Sequence, residues 1–135
     1  MSNSAAIILL AFAIFVGGEV ILTHLTAATL NPDYPLHVIT LVEFLGYLLI
    51  GIAGALSLNE KKSSLTFAVI GVAIWVYFTL NQLNYPINTP SFQEKMGVTG
   101  SAAWTRSASI IGVAILHGTL LLFSLWGLSR ARISK

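Results

Sequence analysis

Polar residues interrupt this chain only at wide intervals. Between the interruptions lie four almost unbroken apolar stretches, approximately residues 5–28, 36–58, 65–83 and 104–128. Each is close to the roughly 20 residues that a helix needs to cross the hydrocarbon core of a bilayer, and too long for spanning strands. Lipid offers no partner to a free backbone N–H or C=O, so a segment of this kind must close its hydrogen bonds within itself. The pattern predicts an all-α fold: an integral membrane four-helix bundle with four transmembrane helices. Residues 1–135 form a single domain in this reading, because the segments between the spans are too short to fold alone and no internal repeat is visible.

Composition points the same way. Of the 135 residues 56% are hydrophobic and 9% charged, whereas an ordinary soluble domain carries about 25% charged residues. The first span begins close to the N-terminus, yet the leader MSNS has no positive charge, the apolar run exceeds a typical signal core, and no small-x-small cleavage site follows it. It is therefore expected to be retained. The absence of cysteine removes disulfides, thiolate metal sites and iron–sulfur clusters from consideration. A net charge of +2 is too small to argue for nucleic acid.

The placement of the basic residues carries more than their number. Lys61 and Lys62 lie in the turn NEKKSS, and Arg130, Arg132 and Lys135 form the tail, so five of the seven basic residues fall on one side of an even-numbered bundle. Such ends face the cytoplasm, which places both termini inside, in what we expect to be a prokaryotic cell membrane. The opposite side holds a short loop at residues 31–35 and a longer segment at 85–103, where Glu94, Lys95 and Arg106 roughly balance. Tyr34, Tyr85 and Trp104 stand where an outer aromatic belt belongs, and Trp126 near the inner one.

Every predicted helix carries one polar stripe at three- and four-residue spacing. Glu19, Thr23 and Thr26 share a face of the first; Thr40, Glu43 and Tyr47 of the second; Tyr77, Asn81 and Asn84 of the third; Arg106, His117 and Ser124 of the fourth. A charge facing lipid at the centre of a helix costs about 2.5 to 3.5 kcal/mol on an insertion scale. The stripes should therefore turn inward, giving a buried polar seam of Glu19, Glu43, Tyr47, Tyr77, Asn81 and His117, or turn toward a partner protein. Gly17, Gly18, Gly46, Gly51, Gly54, Gly112 and Gly118 would let helices approach closely.

Three kinds of chemistry fit these residues. His24, Asp33 and His37 flank one tight outer connection and offer imidazole and carboxylate to copper or another metal. Pro35 limits a regular turn between Asp33 and His37, and the spacing is not diagnostic of any metal. Haem would need two histidines facing each other, and His24 with His37 is the pair at matching depth. Alternatively Glu19, Glu43 and His117 could form a proton path or a quinone contact, since ionisable groups inside a membrane mark such routes. The plainer expectation is structural: a neutral carboxyl donating a hydrogen bond to the next helix ties helices together without turnover.

Phosphate loops, nucleophile elbows, H-E-x-x-H and calcium loops are all missing from the sequence, and Asp33 is its one aspartate. Catalysis by this chain alone is not expected. What remains is a small accessory subunit that braces other transmembrane subunits of a larger complex, with membrane lipids as its other partners. A respiratory oxidase or a membrane-bound copper monooxygenase is the kind of energy-converting or oxidative host expected. The alternatives are a metal-, haem- or quinone-binding redox protein and a small proton or solute carrier.

Overall fold

A computed structural model describes residues 2–30, 32–33, 38–59, 61–84 and 101–133, and it is all-helical over the elements they form. Helix α1 (Ser2–Ala11) passes through a π-helical segment (Phe12–Gly17) into α2 (Gly18–Leu30), so that residues 2–30 make one continuous rod. Helices α3 (Val38–Leu58), α4 (Ser64–Asn84) and α5 (Ser101–Ile133) follow. Four helices are long and apolar enough to cross a membrane, over Asn3–Leu30, Thr40–Leu58, Ser64–Asn81 and Ala108–Arg130.

The helices outrun the apolar stretches, most of all in α5, which begins at Ser101 and continues to Ile133. Hydrophobic runs mark only the length suited to hydrocarbon. Beyond them Ala102, Ala103, Arg130, Ala131 and Arg132 are good helix formers, and nothing in either flank breaks the backbone ladder. Residues 101–103, expected in the outer segment, are therefore helical; residues 85–100 and the loop positions 34–37 lie outside the described residues.

The turn between α3 and α4 is closed by its own backbone. Asn59 N–H donates to Leu56 O at 3.1 Å, and Lys61 N–H donates to the same oxygen at 3.0 Å, which satisfies a carbonyl that the end of a helix leaves open. Asn59 adds a side-chain donation from Nδ2 to Ala55 O at 3.0 Å. Ser63 then opens α4, its carbonyl accepting the Phe67 N–H at 3.2 Å, in the manner of a serine N-cap position.

The chain divides into two compact units, Met1–Trp75 with Leu121–Lys135, and Val76–Leu120. The first contains the buried core. Leu9, Ile50, Leu121 and Ser124 are fully enclosed there, joined by Phe12, Tyr47, Ala53, Ala68 and Val72. Small residues bring the helices together, since a position without a large side chain lets two backbones approach closely. A Cβ placed on Gly54 would fall 3.0 Å from Ala6 O and 3.1 Å from Leu10 N; one on Gly71 would fall 2.9 Å from Gly46 O and 3.0 Å from Ile50 N. These positions mark where α3 crosses α1 and where it crosses α4. Gly17 admits Tyr47 in the same way, its hypothetical Cβ lying 2.8 Å from that of the tyrosine. By contrast Gly18 and Gly112, also expected to serve close approach, have open space where a Cβ would stand.

In the second unit the described side chains face mainly outward, Tyr77, Leu80, Ile111, Val113, Ile115 and Leu116 all being exposed. Polar groups on these helices satisfy themselves locally: Asn81 Nδ2 donates to Tyr77 O and Thr119 Oγ1 to Ile115 O, each at 2.8 Å.

Candidate functional site

The chemistry-bearing side chains of the first unit gather between α2 and α3. The two helices run antiparallel across the connection between them, so residues equally far from it meet at one level. His24 lies six residues before the end of α2 and Glu43 five after the start of α3, which at about 1.5 Å per residue puts them within ~2 Å of the same depth. Their side chains meet: His24 Nε2 stands 3.9 Å from Glu43 Oε2, with both side chains about a quarter exposed. The His24 ring also meets the edge of Phe44, centroid to centroid 5.7 Å.

One turn further along α3, Tyr47 forms the floor of this cluster. It is buried, and its ring stacks on Phe12 of the π-helical segment at 5.9 Å. Phe12 in turn meets Trp75 edge to face at 5.9 Å. The Tyr47 hydroxyl is hydrogen-bonded to the Trp75 side chain and lies within electrostatic reach of both Glu43 and Glu19. The glycine at position 17 makes this possible, because any larger residue there would occupy the space of the Tyr47 side chain.

Helix α2 itself is unusual for a helix of 13 residues in having none of them buried. Glu19, Thr23 and Thr26, the stripe read from the sequence, are all exposed. The seam expected to be buried is thus only partly enclosed by this chain: Tyr47 is buried, Glu43, Asn81 and His117 are half-buried, and Glu19 and Tyr77 are open. Glu19 is left outside because α1, not α2, packs closely along α3, at Ala6 and Leu10 against Gly54. Asn81 spends its amide on its own helix instead of on a neighbour.

Of the three residues expected to hold a metal, His24 turns to Glu43, Asp33 lies exposed in the turn after α2, and His37 is outside the described residues. Among the described residues no group of three or more histidines, aspartates or glutamates could hold a metal ion. The haem pair needs His37 and so lies outside the described residues. The His24–Glu43 pair is legible in principle, since the matched depth across an antiparallel connection follows from the helix ends.

An imidazole and a carboxyl 3.9 Å apart, one turn from a buried tyrosine, can exchange a proton through a bridging water or hold a polar group offered by a neighbour. Fold and site together define an all-helical protein with four helices able to span a membrane and a polar cluster on the flank of the first two. No family model matches the chain, and neither a curated protein nor a solved structure matches it.

Proposed function

We propose that the chain is an integral membrane protein whose four helices cross the bilayer with both termini in the cytoplasm, and that it works as a small accessory subunit bracing other transmembrane subunits. The exposed row of Glu19, Thr23 and Thr26 on a helix with no buried residue carries this reading. Within a bilayer, a carboxylate facing acyl chains near the helix centre costs about 2.5 to 3.5 kcal/mol, and polar side chains there are found turned toward protein or water. A helix of another subunit laid along α2 would cover that row and offer Glu19 a donor. The outward apolar surface of α3, α4 and α5, including Leu41, Leu48, Val69, Ile115 and Leu122, suits lipid or further subunits.

Mild-detergent purification from native membranes followed by native mass spectrometry tests this. The wild-type chain should emerge with larger subunits, whose identity also names the host, and Glu19→Leu should release them while the isolated chain keeps its helix content. A chain that runs alone from native membranes would sink the proposal, as would partners retained unchanged by Glu19→Leu.

The His24–Glu43 contact favours a second reading, a proton-carrying site. In that case the chain reconstituted by itself should pass protons, and Glu43→Gln should stop the flux. A bilayer no leakier with the chain than without it removes this alternative.

A further inference from the structure

Three close contacts fix which helix ends lie together in the first unit. A Cβ on Gly127 of α5 would stand 3.5 Å from that of Ala5 in α1; Gly54 of α3 abuts Ala6 and Leu10; Gly71 of α4 abuts Gly46 and Ile50 of α3. At about 1.5 Å of rise per residue, Ser2, Leu58, Ser64 and Arg130 all lie within roughly 5 to 12 Å of these contacts along their helices, and on the same side of them. The start of α1, the turn between α3 and α4, and the end of α5 therefore share one end of the unit.

That end is strongly basic. Lys61, Lys62 and Arg130 are exposed on it, and Arg132 and Lys135 follow in sequence. Glu60 is the one acidic side chain in segments 1–6, 55–66 and 125–135. Arg130 is also held in place: its guanidinium carbon lies 5.0 Å from the centroid of the Trp126 ring, a cation–π contact. Trp126 is itself 55% exposed and packs against exposed Phe123 at 5.9 Å. The outer face of α5 thus reads, toward its end, as phenyl ring, indole, guanidinium. Such an order matches the passage from acyl chains through the interface to headgroups.

We infer that this basic end is a docking surface for anionic phospholipid, with Lys61, Lys62 and Arg130 contacting headgroup phosphates and Trp126 seated at the acyl boundary below. The inference rests on the membrane-spanning part of the proposal above and is independent of any partner subunit. Charge complementarity selects the occupant, because each Lys or Arg close to an anionic leaflet is worth about fivefold in association. The basic side chains come from two elements, the turn and α5, so the surface is assembled by the fold and not by one run of sequence.

The test uses the full chain reconstituted in phosphatidylcholine vesicles doped with spin-labelled lipid. Spin-labelled phosphatidylglycerol should be motionally restricted at the protein several-fold more strongly than spin-labelled phosphatidylcholine. The preference should shrink toward parity as salt is raised, and the triple substitution Lys61→Gln, Lys62→Gln, Arg130→Gln should remove most of it at unchanged helix content. Equal restriction of the two lipids by the wild-type chain overturns the inference, and so does a preference that survives the triple substitution. Loss of the preference to inorganic phosphate at constant ionic strength would overturn it in favour of a soluble anion. Should neither lipid be restricted at all, the membrane reading itself has failed, an outcome distinct from the others.

Discussion

Gly71→Ala adds one methyl group where α4 crosses α3, and the surrounding atoms leave no room for it. Its Cβ would stand 2.8 Å from Ile50 Cγ1, 2.9 Å from Gly46 O and 3.0 Å from Ile50 N. The Ile50 side chain can rotate, but two of the three neighbours are backbone, and backbone moves only with its helix. Bringing Gly46 O from 2.9 Å to the 3.4 Å at which ordinary contact begins means parting the two helices by about 0.5 Å, enough to forfeit a sizeable part of each dispersion contact along the crossing. Ile50 and Ala53 on one side and Ala68 and Val72 on the other are buried against this line, so the loss is shared among them. Inserting a methyl group into a filled core costs about 1 to 3 kcal/mol, which lowers the folding equilibrium constant between roughly fivefold and a hundredfold. Titration of the purified chain with sodium dodecyl sulfate in mixed micelles, followed by far-UV circular dichroism and tryptophan fluorescence, measures that constant. Gly112→Ala is the control: with nothing within 4 Å of its Cβ, it should be neutral or slightly stabilising through helix propensity. If Gly71→Ala unfolds where the wild type does, or Gly112→Ala is equally damaging, the close crossing assigned to Gly46, Ile50 and Gly71 is wrong.

Neighbouring leucines in α5 should behave oppositely. Leu121→Ala, at a fully enclosed position, is expected to cost about 2 to 5 kcal/mol, whereas Leu122→Ala, 65% exposed, should stay within about 0.5 kcal/mol in detergent; the same titration separates them. A nitroxide at position 122 in vesicles should be readily relaxed by oxygen, which concentrates in acyl chains, and one at position 121 should be shielded; equal accessibility at both would contradict the burial pattern. Tyr47→Phe keeps the ring stacked on Phe12 and removes the hydroxyl bonded to Trp75, at an expected cost of about 1 kcal/mol, with a shift in Trp75 emission, read in a background in which Trp104 and Trp126 are replaced by Phe, as the second readout. His24→Leu should change the stability of the isolated chain by no more than about 1 kcal/mol, because the contact with Glu43 is long and partly open to solvent; a larger loss would show that the pair holds α2 to α3.

How far the sequence reveals this fold depends on which physical signal each feature has. That the chain forms four helices long and apolar enough to cross a membrane is legible, because a bilayer-sized apolar run has few alternatives to a helix; the run at 65–83 lies within α4, Ser64–Asn84. The far ends of α5 were not, since Ser101 and Ile133 lie in flanks where helix and coil differ by small propensities that leave no periodic mark. Glycine positions showed where close approach was possible without showing where it occurs. Gly54 and Gly46 meet a neighbour, Gly18 and Gly112 do not, and Gly71, unremarked in the sequence, sits at the tightest backbone contact with α3. The rotation of a helix about its axis decides this, and a run apolar on nearly all sides carries almost no signal for rotation. For the same reason the sequence puts Glu19, Thr23 and Thr26 on one face and points that face inward or toward a partner protein, whereas within this chain the face is exposed.

The separation between packing and polarity in the first unit has a consequence for Glu19 and Glu43. The contacts that hold α1, α3, α4 and the end of α5 together are made by Ala5, Leu9, Ile50, Ala53, Ala68, Val72, Leu121 and Leu128 and by glycines beside them. None of these is a carboxyl or an imidazole. A carboxyl serving as a tie between helices would have to be enclosed and bonded across an interface, as Tyr47 is; Glu19 is exposed and Glu43 reaches His24 only at 3.9 Å. The fold of the isolated chain therefore does not depend on them, although each carries an insertion cost in a membrane. On the proposed membrane reading, a purely structural role within the chain leaves that cost without compensation, whereas the proposed neighbouring subunit or a transported proton would supply one. Replacing both, Glu19→Leu with Glu43→Leu, should accordingly leave the isolated chain as stable as the wild type or more so, while weakening whatever it does in its native membrane. A marked loss of stability in that double variant would return both residues to the role of internal braces.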